Sequence, residues 1–423
     1  MSRLLAICFL FIVAPLFAAD DDWPMWRGPR GDGTVTEKGF PTRWTATENV
    51  RWKSPLPGRG HSSPIIWGDR VFITSAIEEG DAKEPKDRLL ICLDRKEGKV
   101  LWERVVLKSP LESLHKLNSR ASSTPATDGE RVYVTFLDNP KVVVAAFDFQ
   151  GKELWKKSPG EFQSTHGFCS PPMLYKDLVI VNCDQDAFKK SKPAYIVALD
   201  RKTGEEKWRI DRTHRIRSYC PPLIVEAAGK MQMVLTGAET VASYDPDTGK
   251  QIWEITGPTE QFVASMIYTK GLFHLTAGFP TYHVMGIKPD GTGNVTDSHV
   301  AWHIKNGGTK AGAGYVPSPV PQGDNIFLVH DEGHATCRDA ATGKLHWNER
   351  LGKHHSASPI AADGRIYLVD DDGNTFVVKA QEKYELLEKN PIGESSYASP
   401  AFSKGEIFIR GSKHLYCIGS GAK

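Results

Sequence analysis

One motif, repeated eight times along 423 residues, restricts the fold of this chain more than any other feature of its sequence. A small residue and a proline, an apolar strand, a Gly- or Asp-containing turn and a β-branched strand appear as HSSPIIWGDRVFIT from His61, and related copies start at Ser122, Cys169, Tyr219, Val263, Val316, Ser356 and Tyr397. The anchors Pro64, Pro125, Pro171, Pro221, Ser265, Pro319, Pro359 and Pro400 lie 40 to 61 residues apart. That is the spacing of propeller blades.

A second element lies between the anchors: a strand, a tight turn and a strand carrying tryptophan, as in LDRKTGEEKW. Asp bonds backbone amides two residues on, and Gly takes the positive φ that a tight hairpin requires. The indole then falls on one face of the outgoing strand, where its bulk suits the wedge between neighbouring sheets. Trp102, Trp155, Trp208, Trp253, Trp302 and Trp347 are therefore expected to be structural docking residues.

The eighth unit ends one strand short, and the missing strand is found at the other end of the chain. NVRWKSPL places Trp52 12 residues before the first anchor, the separation of Trp347 from Pro359. The expected fold is all-β: an eight-bladed β-propeller with four-stranded blades over residues 50–419, closed by the N-terminal strand, which leaves no open sheet edge in the ring. Residues 20–49 are expected to pack on the propeller as an extension, and 420–423 form a tail.

The first residues read as a secretory signal peptide: Arg3, an apolar stretch from Leu4 to Phe17, then Ala18-Ala19 before an acidic run. Residues 1–19 would be removed on export to the bacterial periplasm or the medium, and no later segment is apolar enough to span a membrane. With 53 basic against 51 acidic residues, the near-neutral balance argues against nucleic acid or anionic lipid as a partner. Six cysteines remain beyond the signal: Cys92, Cys169, Cys183, Cys220, Cys337 and Cys417. No CxxCH occurs, so covalent haem is unsupported. Cys92 and Cys417 read as buried thiols on inner strands, whereas Cys169 and Cys220 abut neighbouring anchors near the axis, where a bridge is conceivable.

Asp200, Thr203, Gly204 and Trp208, and again Asp245, Thr248, Gly249 and Trp253, resemble the tryptophan-docking motif of propellers related to pyrroloquinoline quinone (PQQ) dehydrogenases and to the assembly factor BamB. The opening WPMWRGPRGDGT from Trp23 resembles exported PQQ-repeat proteins of planctomycete-like bacteria. The resemblance implies an eight-bladed propeller. The dehydrogenases often carry adjacent cysteines over the quinone and a Glu, Asn and Asp set on Ca²⁺; no two cysteines are adjacent here and that set finds no match. No cofactor is therefore expected, with PQQ and Ca²⁺ as the alternative.

Loop length separates the two faces of the ring. Turns such as DRKTGE are minimal, whereas the opposite face receives the insertions IEEGDAKEPKDR from Ile77, SPLESLHKLNS from Ser109 and DQDAFKKSKPA from Asp184. That decorated face is the better binding surface. At its channel mouth the sequence places Arg59, His61, Arg120, His166, Arg217, Tyr219, Tyr315, His355 and Tyr397, with His354 beside them, a cationic funnel suited to a small polar or anionic ligand. His354 and His355 are adjacent and so point to opposite sides of an extended chain, and no metal-binding spacing is present. Asp290, Asn294 and Asp297 lack the EF-hand pattern and read as a long hairpin turn. No catalytic residue can be assigned, since no G-x-S-x-G, H-E-x-x-H or P-loop occurs. The sequence therefore favours an exported, monomeric, non-catalytic propeller that binds a protein partner or small ligand. A PQQ-dependent oxidoreductase is the alternative, and a polysaccharide hydrolase or lyase is less supported because no paired carboxylates stand out.

Overall fold

The computed structural model describes residues 21–81, 83–185, 194–212, 216–237, 239–305 and 308–420. The expected signal peptide and most of the insertion after Asp184 lie outside the described residues.

Eight antiparallel sheets surround an axis. Blade 1 runs outward through Ile65–Trp67, Arg70–Ala76, Lys86–Asp94 and Val100–Ser109, and the following blades repeat this order. Blade 8 takes Ala401–Ser403, Glu406–Arg410 and His414–Ile418 from the end of the chain, and its outermost strand is Val50–Pro55, paired antiparallel to His414–Ile418. The ring is thus closed by the N-terminal strand. Two blades gain a fifth, parallel strand: Gly293–Asn294 on the outer strand of blade 4 and Thr34–Val35 on the innermost strand of blade 7. The loop holding Asp290, Asn294 and Asp297 is therefore folded onto blade 4, with the Asn294 side chain bonded to Thr256 and Thr296.

The middle strands of each blade, such as Arg131–Asp138 and Lys141–Asp148, are packed between neighbouring sheets on both faces, which is why they read as unbroken apolar runs instead of alternating ones. Their turns follow the predicted chemistry. The Asp200 carboxylate accepts the amides of Lys202 and Thr203 at 2.9 and 3.0 Å, and Gly204 takes a φ of +72°. A register shift lies just before the tryptophan in each such hairpin, as where Lys207 is skipped between Glu206, opposite Leu199, and Trp208, opposite Ala198.

The indoles sit between blades. Trp52, Trp102, Trp155, Trp302 and Trp347 each donate Nε1–H to a turn carbonyl of the next blade, at Arg95, Phe149, Arg201, Ala340 and Gln381 respectively, over 2.8 to 3.1 Å. Opposite each tryptophan on the neighbouring strand stands a small residue: Cys92 faces Trp102, Ala198 faces Trp208, Cys337 faces Trp347 and Cys417 faces Trp52. Size explains these cysteines better than thiol chemistry. Trp208 and Trp253, which carry the most regular motif copies, depart from the pattern. Trp208 Nε1 has no partner among the described residues, and Trp253 turns to Gln232 of its own blade at 2.9 Å. The equivalent carbonyl of blade 5, Pro289 O, accepts instead from the Gln232 amide at 2.9 Å, so Gln232 bridges the indole to the next blade.

The N-terminal segment crosses the axis on the minimal-turn face. Trp23 forms an antiparallel bridge with Ile66 of blade 1, Thr127 of blade 2 donates to the Pro24 carbonyl at 2.8 Å, and Ala361 of blade 7 donates to the Gly33 carbonyl at 2.9 Å. Arg27, 1% exposed, donates to the Asp32 carbonyl at 2.6 Å and to Pro319 O of blade 6. The Asp21 carbonyl meets Ser403 of blade 8, and Gly31 packs against Met173 and Leu223 of blades 3 and 4. One short stretch therefore ties seven blades together and closes the channel from that side.

Candidate functional site

With one end sealed, the axial channel is a blind cavity of about 110 Å³. Trp26 of the crossing segment lines it together with rim residues His61, Tyr219 and Tyr397, so three of the residues expected at the channel mouth do converge on it. His61 stacks on Tyr397 with ring centroids 4.6 Å apart. Burial, then the charges of Arg410 and Arg59, push its imidazole down to about 3, so it is neutral at physiological pH.

The arginines behave otherwise. Arg120 pairs with Glu78 at 3.0 Å and with Glu112 at 3.2 Å, Arg59 reaches Glu78 at 3.4 Å, and Arg88, fully buried, also holds Glu112 at 3.2 Å. Both glutamates come from the insertions that decorate this face. Of the charge expected for a cationic funnel, that of Arg59 and Arg120 is therefore spent on fixing loops. Sequence spacing could not pair residues from separate loops, and only the acidic letters of the insertions hinted at it.

The remaining residues scatter around the rim. His166 packs between His115 and Tyr219, with centroids at 5.1 and 5.9 Å. Tyr315 donates to Gln261 at 3.2 Å, and burial, against the opposing charge of Arg217, pushes its hydroxyl up to about 12. His355 is the correction. It is buried within blade 7, its ring nitrogens 3.0 Å from Val369 O and 2.5 Å from Leu351 O, because neighbouring side chains of an extended segment alternate and His354 takes the outward direction. His354 Nδ1 lies 2.6 Å from Asp371, whose other oxygen accepts the Ser356 amide. The Asp371 hydrogen bond raises the His354 pKa above its usual value. A raised histidine pKa stabilises the fold fully below about pH 6.5 and the contribution is lost as the pH rises through the folded value. In proton NMR titration His354 should titrate above the ordinary histidine range, and Asp371→Asn should bring it back; an unshifted His354 in the parent chain would remove this contact.

The six cysteines among the described residues are free, Cys169 and Cys220 included. Cys169 lines the cavity while Cys220 turns into the core between blades 3 and 4, so their sulfurs face different surroundings and no bridge forms.

Sequence reasoning did not single out the small residues before the anchor prolines as a set. Ser63, Thr124, Ser358 and Ser399 line one arc of the cavity on the adjacent blades 7, 8, 1 and 2, and they also join blades, since Ser63 N donates to Thr124 Oγ1, Ser318 N to Ser358 Oγ and Ser358 N to Ser399 Oγ at 2.9 to 3.0 Å. The other arc is Cys169, Pro171, Pro221, Val263 and Val316.

A family model described as outer membrane protein assembly factor BamB matches residues 34–136, 86–269 and 293–418, most of the ring. The chain belongs to the BamB family. It is 21% identical over 307 residues to the outer membrane protein assembly factor BamB of Shewanella oneidensis, a match covering 68% of this chain and 71% of that protein. BamB from Moraxella catarrhalis superposes with a TM-score of 0.61 at 12% identity, over 88% of this chain and 98% of that one, which supports the fold. Polyvinylalcohol dehydrogenase of a Pseudomonas species is 23% identical over 210 residues, 47% of this chain but only 30% of the enzyme.

Within this BamB-family ring, no Asp or Glu lines the axial cavity, and no cluster of three or more metal-binding side chains occurs among the described residues. Ca²⁺ prefers six to eight oxygen ligands, carboxylates among them, and a cavity of about 150 Å³ is filled by one benzene ring. A tricyclic quinone with Ca²⁺ therefore does not fit this lining. No helix among the described residues is long and apolar enough to cross a membrane.

Proposed function

We propose that this protein is an exported, non-catalytic member of the BamB family that binds a protein partner on its decorated face. The observation that carries the reading is the contrast between the two faces. The minimal-turn face is occupied at its centre by the N-terminal segment, whereas the opposite face presents long loops held rigid by the Glu78, Glu112 and Arg120 cluster. Two apolar side chains stand exposed on this face, Leu117 at 44% on the insertion from Ser109 and Phe279 at 46% on the loop between the middle strands of blade 5, as anchors for a partner. The similarity to an assembly factor over most of both chains supports the same reading, and a partner among outer membrane assembly components is its natural extension.

Photo-crosslinking from Leu117 and Phe279, compared with Lys96 and Lys202 on the minimal turns, tests the assignment in the native host. Adducts to one discrete protein are expected from the first pair and not from the second. Adducts from the turn face alone, or from neither face, would overturn it. Addition of PQQ with Ca²⁺ to the purified chain should leave its melting temperature unchanged; a saturable rise would favour the oxidoreductase reading instead.

A further inference from the structure

We infer that the blind axial cavity is a binding site for a short-chain carboxylate, with the carboxyl group on the hydroxyl arc and the alkyl tail on the apolar arc. The inference is independent of the partner-binding reading.

The hydroxyl arc has spare donors. Thr124, Ser358 and Ser399 each accept a backbone N–H from a neighbouring blade, and their own O–H groups find no acceptor among the described residues. The Ser63 side chain makes no hydrogen bond among the described residues. These four residues are at least nine-tenths buried, and an O–H so placed needs an acceptor. No carboxylate lines the cavity to act as one.

The electrostatics select the sign of the ligand. Arg410 is buried beside the rim, its Nη1 donating to Ser62 Oγ and Thr74 O at 2.7 Å, and its partners are neutral. Burial lowers its pKa to about 9. Arg27, next to the Trp26 that lines the cavity, keeps Nε and Nη1 without a partner among the described residues, and burial lowers its pKa to about 10. Two buried guanidiniums stand near the cavity, Arg410 hydrogen-bonded only to neutral groups and Arg27 with the Asp32 carboxylate as a charged neighbour, a field that favours an anion. The acids around the rim are already engaged: Asp371, which accepts from the lining Ser356, also holds His354, and Glu78 and Glu112 are occupied by Arg59, Arg88 and Arg120. The volume of about 110 Å³ and the Pro171, Pro221, Val263 and Val316 wall suit an anion with a few carbons better than a fully hydrated inorganic ion.

Calorimetric titration of the mature full-length chain with propionate, 1-propanol and inorganic phosphate tests this. Propionate should bind saturably and at least about tenfold more tightly than either comparator, since a hydrogen bond to a charged group is worth about 1.5–3 kcal/mol. Ser63→Ala, whose hydroxyl holds no other group and whose loss leaves the fold intact, should weaken propionate about tenfold; Thr124→Val should do the same if it folds. Equal binding of 1-propanol would make this a neutral amphiphile site, equal binding of phosphate would remove the role of the apolar arc, and no binding by the folded chain would leave an enclosed water cluster. Each of these, or an unaffected Ser63→Ala, overturns the proposal.

Discussion

Replacing Trp23 by alanine should lower the unfolding free energy by about 3–5 kcal/mol, the range for truncating a fully buried aromatic side chain. Trp23 is 1% exposed, and its indole fills the space over Gly28, where a Cβ would collide with the ring. It also packs against Phe402 of blade 8 with centroids 6.4 Å apart while its backbone pairs with Ile66 of blade 1. These two blades meet at the seam where the ring is closed by a strand from the other end of the chain, so the side chain fastens the joint that chain connectivity leaves weakest. Equilibrium urea unfolding of parent and variant reads the difference directly. A loss below about 1 kcal/mol would mean that the crossing segment rests on the ring without stabilising it.

Asp184→Asn is expected to cost a comparable amount, about 3–5 kcal/mol, through a different mechanism. Arg212 Nε lies 2.7 Å from the Asp184 carboxylate, the side chains are 5% and 1% exposed, and Arg212 Nη1 donates to the Tyr244 hydroxyl at 2.8 Å. Burial opposes the charge on Arg212, yet Asp184 and then Tyr244 hold its pKa above the ordinary value. Both residues belong to blade 3, the Arg212–Tyr244 hydrogen bond carries the pair across to blade 4, and Gly237 of blade 4 leaves the room for it, since a Cβ there would overlap both the guanidinium and the carboxylate. Neutralising the acid strands a buried cation, whereas the exposed pair Lys176–Asp247 should be replaceable with no measurable change in the same unfolding assay. Equal effects of the two changes would show that water reaches Arg212.

The contrast between these sites and the repeats shows what a single sequence can convey. Local chemistry is written locally. The Asp-x-x-Thr-Gly turns, the proline anchors and the indole four residues beyond each glycine recur with the fold's own period, and each acts within one hairpin or between consecutive blades. Blade number, strand count and closure through Trp52 follow from counting such units. The small residues opposite the indoles are legible in the same way, which is why Cys92 and Cys417 could be read as packing residues.

The site obeys other rules. His61, Tyr219 and Tyr397 were recognisable because they precede anchors, but the partners that decide their chemistry are distant in the chain: Arg410 beside His61 is about 350 residues away, and Glu78 and Glu112 reach Arg120 from two separate insertions. Whether an arginine at a channel mouth meets a ligand or a carboxylate depends on which loops share its end of the ring. By itself the sequence determined a closed eight-bladed ring and the face that carries its long loops, because those depend on periodicity and loop length. Only the tertiary structure decided that the channel is blind, that Arg59 and Arg120 at its mouth are paired with carboxylates and that its hydroxyls lie on one side, because charge pairing and enclosure are set by distances across the axis, to which sequence separation is indifferent.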